Sequence, residues 1–203
     1  MIVFSSPNHD ASEARRADIP AIQAFYESNP AYTRLVEGAM VQPGAAELEF
    51  DDTPPPELGF DRKWWLLVHD RASGRLDALI DVVKDLMAPG IWHIGLFFVA
   101  EALHGQGTAT TLHAALEEWA RRGGARWLRL GVVAQNGRAA RFWRRRGYHF
   151  VRSREVAAST GRVNTVWVLV KPLGDDTLAS YLAVQTRDVM EVEPAQWKLP
   201  AGD

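Results

Sequence analysis

The sequence predicts an α/β fold, and three observations carry that expectation. Residues 63–69 (KWWLLVH) and 76–83 (LDALIDVV) are apolar, aromatic and β-branched runs, and the Asp70-Arg71-Ala72-Ser73-Gly74-Arg75 stretch between them has the composition of a hairpin turn. Residues 91–99 (IWHIGLFFV) are almost continuously apolar, as in a strand buried on both faces at the centre of a sheet. From there onward strand patterns alternate with helical ones, the signature of an α/β layer.

Taken in order, the first element is a helix that Asp18 can cap. It carries Ile19, Ile22, Ala24, Phe25 and Tyr26, tolerates Pro20 in its first turn, and ends at Asn29-Pro30. A second short helix carries Tyr32, Leu35 and Val36. Residues 42–60 turn acidic and proline-rich, ending in DDTPPP, and are expected to form a surface loop. After the hairpin and the central strand, Ala109, Leu112, Leu116 and Trp119 recur at helical spacing; Glu117 to Arg121 and Glu118 to Arg122 support the exposed side, and Gly123-Gly124 ends the helix. Residues 127–133 (WLRLGVV) form the next strand and 137–146 the next helix. Residues 149–156 and 164–170 form a closing hairpin. Beyond Gly174 the pattern weakens to a short helix at 178–184. One domain over 1–173 is expected, with 174–203 an extension that docks on it or forms a dimer contact.

Composition narrows the function classes. With 203 residues and 47% hydrophobic content, the chain suits one ordinary globular core rather than two. The absence of cysteine excludes disulfides, thiolate metal sites and a cysteine nucleophile, and fits a reducing compartment. The N-terminus MIVFSSPNHD has neither a basic start nor a long apolar run, and no later segment has the length to cross a bilayer, so a cytoplasmic protein is expected. The net charge of −2 conceals an asymmetry: residues 1–101 hold sixteen acids against eight bases, whereas residues 121–154 hold eleven arginines and no acid. The second half should attract anions.

The most specific motif is His104-Gly105-Gln106-Gly107-Thr108-Ala109, between the central strand and a helix. Backbone N–H groups and the positive helix end converge there on an anion, and glycine keeps side chains clear. A P-loop needs a Gly-Lys-Ser/Thr ending, and no lysine is present. A dinucleotide fingerprint fails too, because its third glycine falls on Thr110.

With this loop the sequence resembles the GNAT superfamily of N-acetyltransferases, whose loop reads Gln/Arg-x-x-Gly-x-Gly/Ala; here it is His-x-x-Gly-x-Ala. A second matching stretch follows in order: Asn136, Ala139, the aromatic pair Phe142-Trp143, then Gly147-Tyr148. The resemblance covers most of residues 12–170 and is firm over 91–150. It implies a GNAT-like mixed, mostly antiparallel sheet with a central parallel, splayed pair, flanked by helices. It also implies acetyl-CoA as cosubstrate, its pyrophosphate on the amides of residues 104–109. Backbone near Phe98 and Val99 would hold the pantetheine arm and polarise the thioester, with Asn136 beside it. Trp143 stands where relatives carry a tyrosine that protonates the departing thiolate, and indole cannot do this; Tyr148 or water would have to substitute.

Acetyl transfer to an amine needs the neutral nitrogen, so a base must remove a proton. His93 is the titratable side chain of the central strand and the first candidate; its alternative role is a hydrogen-bonded core residue. Asp81, on the preceding strand, is the second candidate. By family architecture the acceptor wall draws on Tyr26, Asn29, Tyr32 and residues 47–52, an acidic and aromatic set suited to a cation. The expected activity is acetyl transfer from acetyl-CoA to a small amine, a peptide N-terminus or a lysine, by direct attack in a ternary complex. One competing reading is a non-catalytic acyl-CoA sensor, suggested by Trp143. Another is nucleic-acid binding through the arginine-rich half, which lacks any aromatic, zinc or helical recognition motif. Six scattered histidines without ligand spacing argue against a metal.

Overall fold

The computed structural model describes residues 1–198, and eight strands within them form one sheet. These are β1 (Ile2–Ser5), β2 (His9–Glu13), β3 (Arg62–Asp70), β4 (Leu76–Lys84), β5 (Ile91–Val99), β6 (Trp127–Val133), β7 (His149–Ala157) and β8 (Val163–Pro172), in the spatial order β1-β2-β3-β4-β5-β6-β8-β7. Every neighbouring pair is antiparallel except β5 and β6, which run parallel at the centre. The helices are α1 (Ile19–Ser28), α2 (Pro30–Glu37), α3 (Ala45–Asp51), α4 (Thr108–Arg122), α5 (Gly137–Arg145) and α6 (Leu178–Val184).

Two departures from the sequence reading concern short elements. The expected loop over 42–60 contains α3. Gly44 in the left-handed region opens it (φ 81°), Ala46 is buried, and Phe50 stacks on Trp65; the proline run then ends the helix. The second departure is the β1–β2 hairpin, whose strands of four and five residues bury Phe4 and Ala11 but are too short and polar to alternate visibly. Asp18 precedes α1 but caps the turn before it, its carboxylate accepting the Arg15 amide at 2.7 Å rather than an α1 amide.

The sheet has two differently covered faces. Helices α4 and α5 lie on one, over Leu66, Val68, Ile80, Val82, Trp92, Ile94, Leu128 and Leu130, which pack with Leu112 and Leu116 of α4. Each such fully buried aliphatic side chain contributes about 1.5–3 kcal/mol. The opposite face carries two separate apolar clusters. Ile22, Phe25 and Tyr26 of α1, with Ala46 of α3, cover Trp65, Leu67, Leu79, Leu96 and Phe98. Tyr181 of α6 packs on Ile91, Trp127, Val168 and Val170. The chain after α6 is docked as well: Asp188 is buried in an ion pair with Arg129 and Trp197 meets Trp167 edge-on. Residues 199–203 of the extension lie outside the described residues. Between the two clusters the same face carries a half-buried polar strip that includes the candidate bases Asp81 and His93, with Arg129 beside them.

Candidate active site

The parallel pair is short. β5 and β6 are in register only from Ile91↔Trp127 to Ile94↔Leu130. Past that point β5 stays paired to β4 as far as Val99, and β6 to β8 as far as Val133, so their facing edges diverge. Polar groups of β5 therefore open into a gap. The amide of Ala100 bonds the Asp77 carbonyl at 2.8 Å, and the same register pairs Leu79 with Phe98. Strand alternation turns the backbone of Phe98 toward β4 and that of Phe97 and Val99 toward the gap. Of the two residues expected to offer backbone groups, Val99 faces the gap. Phe98 instead sends its ring among Phe25, Tyr26 and Tyr32.

At the gap's open end the loop of residues 104–107 leads into α4. Gly105 and Gly107 sit in the left-handed region (φ 80° and 83°), where side chains are strained, and a Cβ on either would meet no atom within 4 Å. Glycine there answers to backbone conformation and to open space. Among the described residues the amides of Gly105, Gly107, Thr108 and Ala109 have no backbone acceptor; for Thr108 and Ala109 the first turn of a helix requires it. His104 braces the loop. Arg138 of α5 donates to its Nδ1 at 2.7 Å, and its Nε2 donates to the Val99 carbonyl at 2.9 Å. The Gln106 side chain donates to the Ala102 carbonyl.

Asn136 caps α5, its Oδ1 accepting the Ala139 amide at 3.1 Å. Trp143 is 6% exposed and packs edge-on against Phe97, His113 and Tyr148 as part of the core. Tyr148 is equally buried, with its hydroxyl on His113 Nε2 at 3.0 Å. Burial raises the Tyr148 phenol well above its usual range and lowers His113 to about 3. Neither side chain is a proton donor to solvent-facing chemistry near neutral pH.

The two candidate bases lie on adjacent strands of the same face. Asp81 reaches over Gly95, the residue where the β4–β5 register shifts, and its Oδ2 lies 2.9 Å from where a Cβ on Gly95 would be. Gly95 is therefore the residue that makes room for this carboxylate. Lys63 pairs with Asp81 at 3.4 Å, while Asp81 Oδ1 is buried without a partner. Burial raises the Asp81 carboxyl to about 6, against the opposing charge of Lys63. His93 is instead pushed well below its ordinary value, by burial first and then by Arg129 and Arg154. Arg129 donates weakly to its Nδ1 at 3.4 Å. A histidine held neutral in this way is a feeble proton acceptor.

The acceptor wall brings together part of the expected set. Tyr26 donates to Glu49 of α3 at 2.5 Å, and although Glu49 is exposed as a residue, the crowding around its carboxyl raises it. Tyr32 packs on Phe98. Asn29 serves structure: it donates to the Phe25 carbonyl and accepts the Glu101 amide. Glu47 and Asp51 turn outward to Arg16. Two features of the site escape a residue-by-residue reading, namely the bulge at Gly95 and the approach of Arg154 from β7. A glycine inside an apolar strand was the available signal for the first. Among the described residues one trio has metal-ligand chemistry, His9, Asp70 and Asp77, but Arg75 and Ser73 already occupy its carboxylates.

This combination of a splayed parallel pair, a glycine loop at a helix start and a mixed sheet defines an acetyltransferase architecture. Residues 32–148 match the acetyltransferase (GNAT) family, and the chain belongs to it. No curated protein matches the chain. Among solved structures, an acetyltransferase from Thermus thermophilus shares 20% identity over 85% of this chain and 100% of its own, with a TM-score of 0.58. The acetyl transferase that modifies the N-terminal serine of 50S ribosomal subunit protein L7/L12 in Salmonella typhimurium gives a TM-score of 0.66 at 16% identity, over 86% and 100%. A spermidine N-acetyltransferase SpeG chimera from Vibrio cholerae and hSSAT gives 0.59 at 14%, over 81% and 95%. At such identities the likeness is one of fold. No helix among the described residues is long and apolar enough to cross a membrane.

Proposed function

We propose that this chain transfers an acetyl group from acetyl-CoA to a primary amine by direct attack, with Asp81 as the base. The observation that carries this reading is the gap between β5 and β6, with a buried, half-paired carboxylate at its inner end. The residues present fit acetyl-CoA: the amides of Gly105, Gly107, Thr108 and Ala109 suit a pyrophosphate, Arg138 adds positive charge, and Phe97 and Val99 turn backbone groups toward the pantetheine path. Asn136 orders the start of α5 beside that path.

In the step itself the amine nitrogen forms a bond to the acetyl carbon, the thioester C–S bond breaks, and the amine proton passes to the Asp81 carboxylate. Proximity in the ternary complex supplies much of the acceleration. With Trp143 buried and the Tyr148 hydroxyl held on His113, CoA departs as the thiolate or takes its proton from water. His93 is a polar floor residue in this reading.

Calorimetric titration with acetyl-CoA, followed by thiol release across an amine panel, tests the proposal. Binding with turnover is expected, and Gly107→Glu, which sets a carboxylate against the phosphates and strains the left-handed loop locally, should abolish binding while circular dichroism shows the rest of the fold retained. Unchanged affinity in that variant would refute the phosphate position, and binding without turnover of any amine would favour a sensor.

A further inference from the structure

The inner end of the gap is flanked by two glycines, and each is overhung by a charged side chain. Gly95 and Gly131 are the first residues past the last paired positions of β5 and β6. Over Gly95 lies Asp81. Over Gly131 lies Arg154, reaching inward from β7 across Val166 of β8, with Nη2 3.9 Å from where a Cβ on Gly131 would be. Val166 Cγ1 sits 2.9 Å from that same point, so only glycine fits.

Register puts both charges on one side of the sheet. His93 pairs with Val83 on the face that carries Asp81, and Gly131 pairs with Val168 on the face covered by α6. Arg129, between them, reaches His93.

Arg154 has no ion pair among the described residues. The nearby carboxylate, Asp188, is already shared by Arg129 at 3.0 Å and Arg152 at 2.6 Å, and it accepts from Tyr181. Arg154 is exposed at the rim of this strip, yet desolvation by the packing around it and the charges of Arg129 and Arg152 lower its guanidinium. An arginine crowded by two others, without an acid of its own, gains from an anion brought by a ligand.

We propose that the acceptor is a small zwitterionic amine, its ammonium drawn to Asp81 and its carboxylate to Arg154, an assignment that rests on the transferase reading above. Paired strands lie roughly 4.8 Å apart, and the gap starts from that spacing, which suits a compact amino-acid-sized molecule. Arg154 holds the carboxylate, and this orients the nitrogen toward Asp81 and the thioester.

The test compares three matched sets as acceptors with acetyl-CoA: the free proteinogenic amino acids, their methyl esters, and the corresponding decarboxylated amines. Acetyl-CoA binding is measured first by calorimetry. The expected result is a kcat/KM at least tenfold higher for the best free amino acid than for its ester or decarboxylated amine. Arg154→Gln should collapse that ratio through KM with acetyl-CoA affinity unchanged, and Arg154→Lys should retain part of it. Equal or better use of the esters or amines, a ratio indifferent to Arg154→Gln, or bound acetyl-CoA with no amino acid consumed would each overturn the proposal. A protein that does not bind acetyl-CoA would overturn the transferase reading, and this assignment with it.

Discussion

Asp81 and His93 show how burial separates two groups that the sequence offers as equals. Burial opposes charge in both, so it raises the carboxyl and lowers the imidazole. The Asp81 carboxylate, at about 6, is ionised at neutral pH and basic enough to take a proton in the transition state. Asp81→Asn should therefore lower kcat by about 10²–10⁴-fold, with acetyl-CoA affinity kept. In the wild type, kcat/KM should rise with pH through about 6 and flatten above it. The stability effect has the opposite sign. A carboxyl raised from 3.8 to about 6, with the opposing charge of Lys63 already included, weakens the fold progressively as pH rises from 3.8 to about 6, and the loss, up to about 3 kcal/mol, is complete above that. Asp81→Asn should then unfold at pH 8 no more easily than the wild type. A large loss of stability with unchanged kcat would mark the Lys63 pair as merely structural. His93→Ala should reduce the melting temperature and leave the pH limb where it was, because its imidazole is neutral throughout that range; loss of the limb would return the base to His93.

At the scale of elements, the extension beyond Gly174 is a clamp on the second half of the sheet. Tyr181 is fully buried against Trp127, and the Asp188 carboxylate is buried between Arg129 and Arg152. Burial alone would raise Asp188, yet hydrogen bonds and charge from Arg129, with Tyr181 and Arg152, win and hold it at about 2. Its folded value lies below its ordinary 3.8. The stabilisation, about 2 kcal/mol, is thus complete above pH 4 and lost as pH falls toward 2. Asp188→Asn leaves two buried or half-buried arginines short of a counter-charge and should destabilise by about 3–5 kcal/mol, read as a lowered urea midpoint at pH 7. A midpoint shift under about 1 kcal/mol would show that the clamp holds by apolar contact alone. None of this pairing could be read from the chain, because it joins residues 129, 152 and 188. What the sequence did disclose were the elements whose signal is local and repeated: the apolar strands 63–69, 76–83 and 91–99, the amphipathic α4, and the glycine loop. The β1–β2 hairpin and α3 were hidden because elements of four to seven residues bury too few side chains to show a period.

Across the whole molecule, the lopsided charge of the sequence resolves only in part into local pairs. Some acids of the first half are matched by neighbouring bases, as Arg16 with Glu47 and Asp51, Arg62 with Glu13, and Arg71 with Asp10. Several arginines of the second half are also matched, Arg121 by Glu118 and Arg126 by Asp176. Arg138 differs, because its partner is the His104 ring rather than a carboxylate, and it stands beside the loop whose amides at Gly105 and Gly107 have no backbone acceptor among the described residues. On the proposed function, Arg138 stands where a polyanionic cosubstrate would enter, and long-range attraction of this kind acts through solvent. Salt should weaken it, since the screening length falls from about 10 Å at 0.1 M to about 3 Å at 1 M. The KM for acetyl-CoA should climb severalfold over that range while kcat changes little. Arg138→Gln should begin at the higher KM and respond less steeply to salt, with the melting temperature unaltered because α5 is anchored by Asn136 and the core. A salt response identical in the variant and the wild type would show that attraction arises from the arginine-rich surface as a whole, and that Arg138 only braces His104.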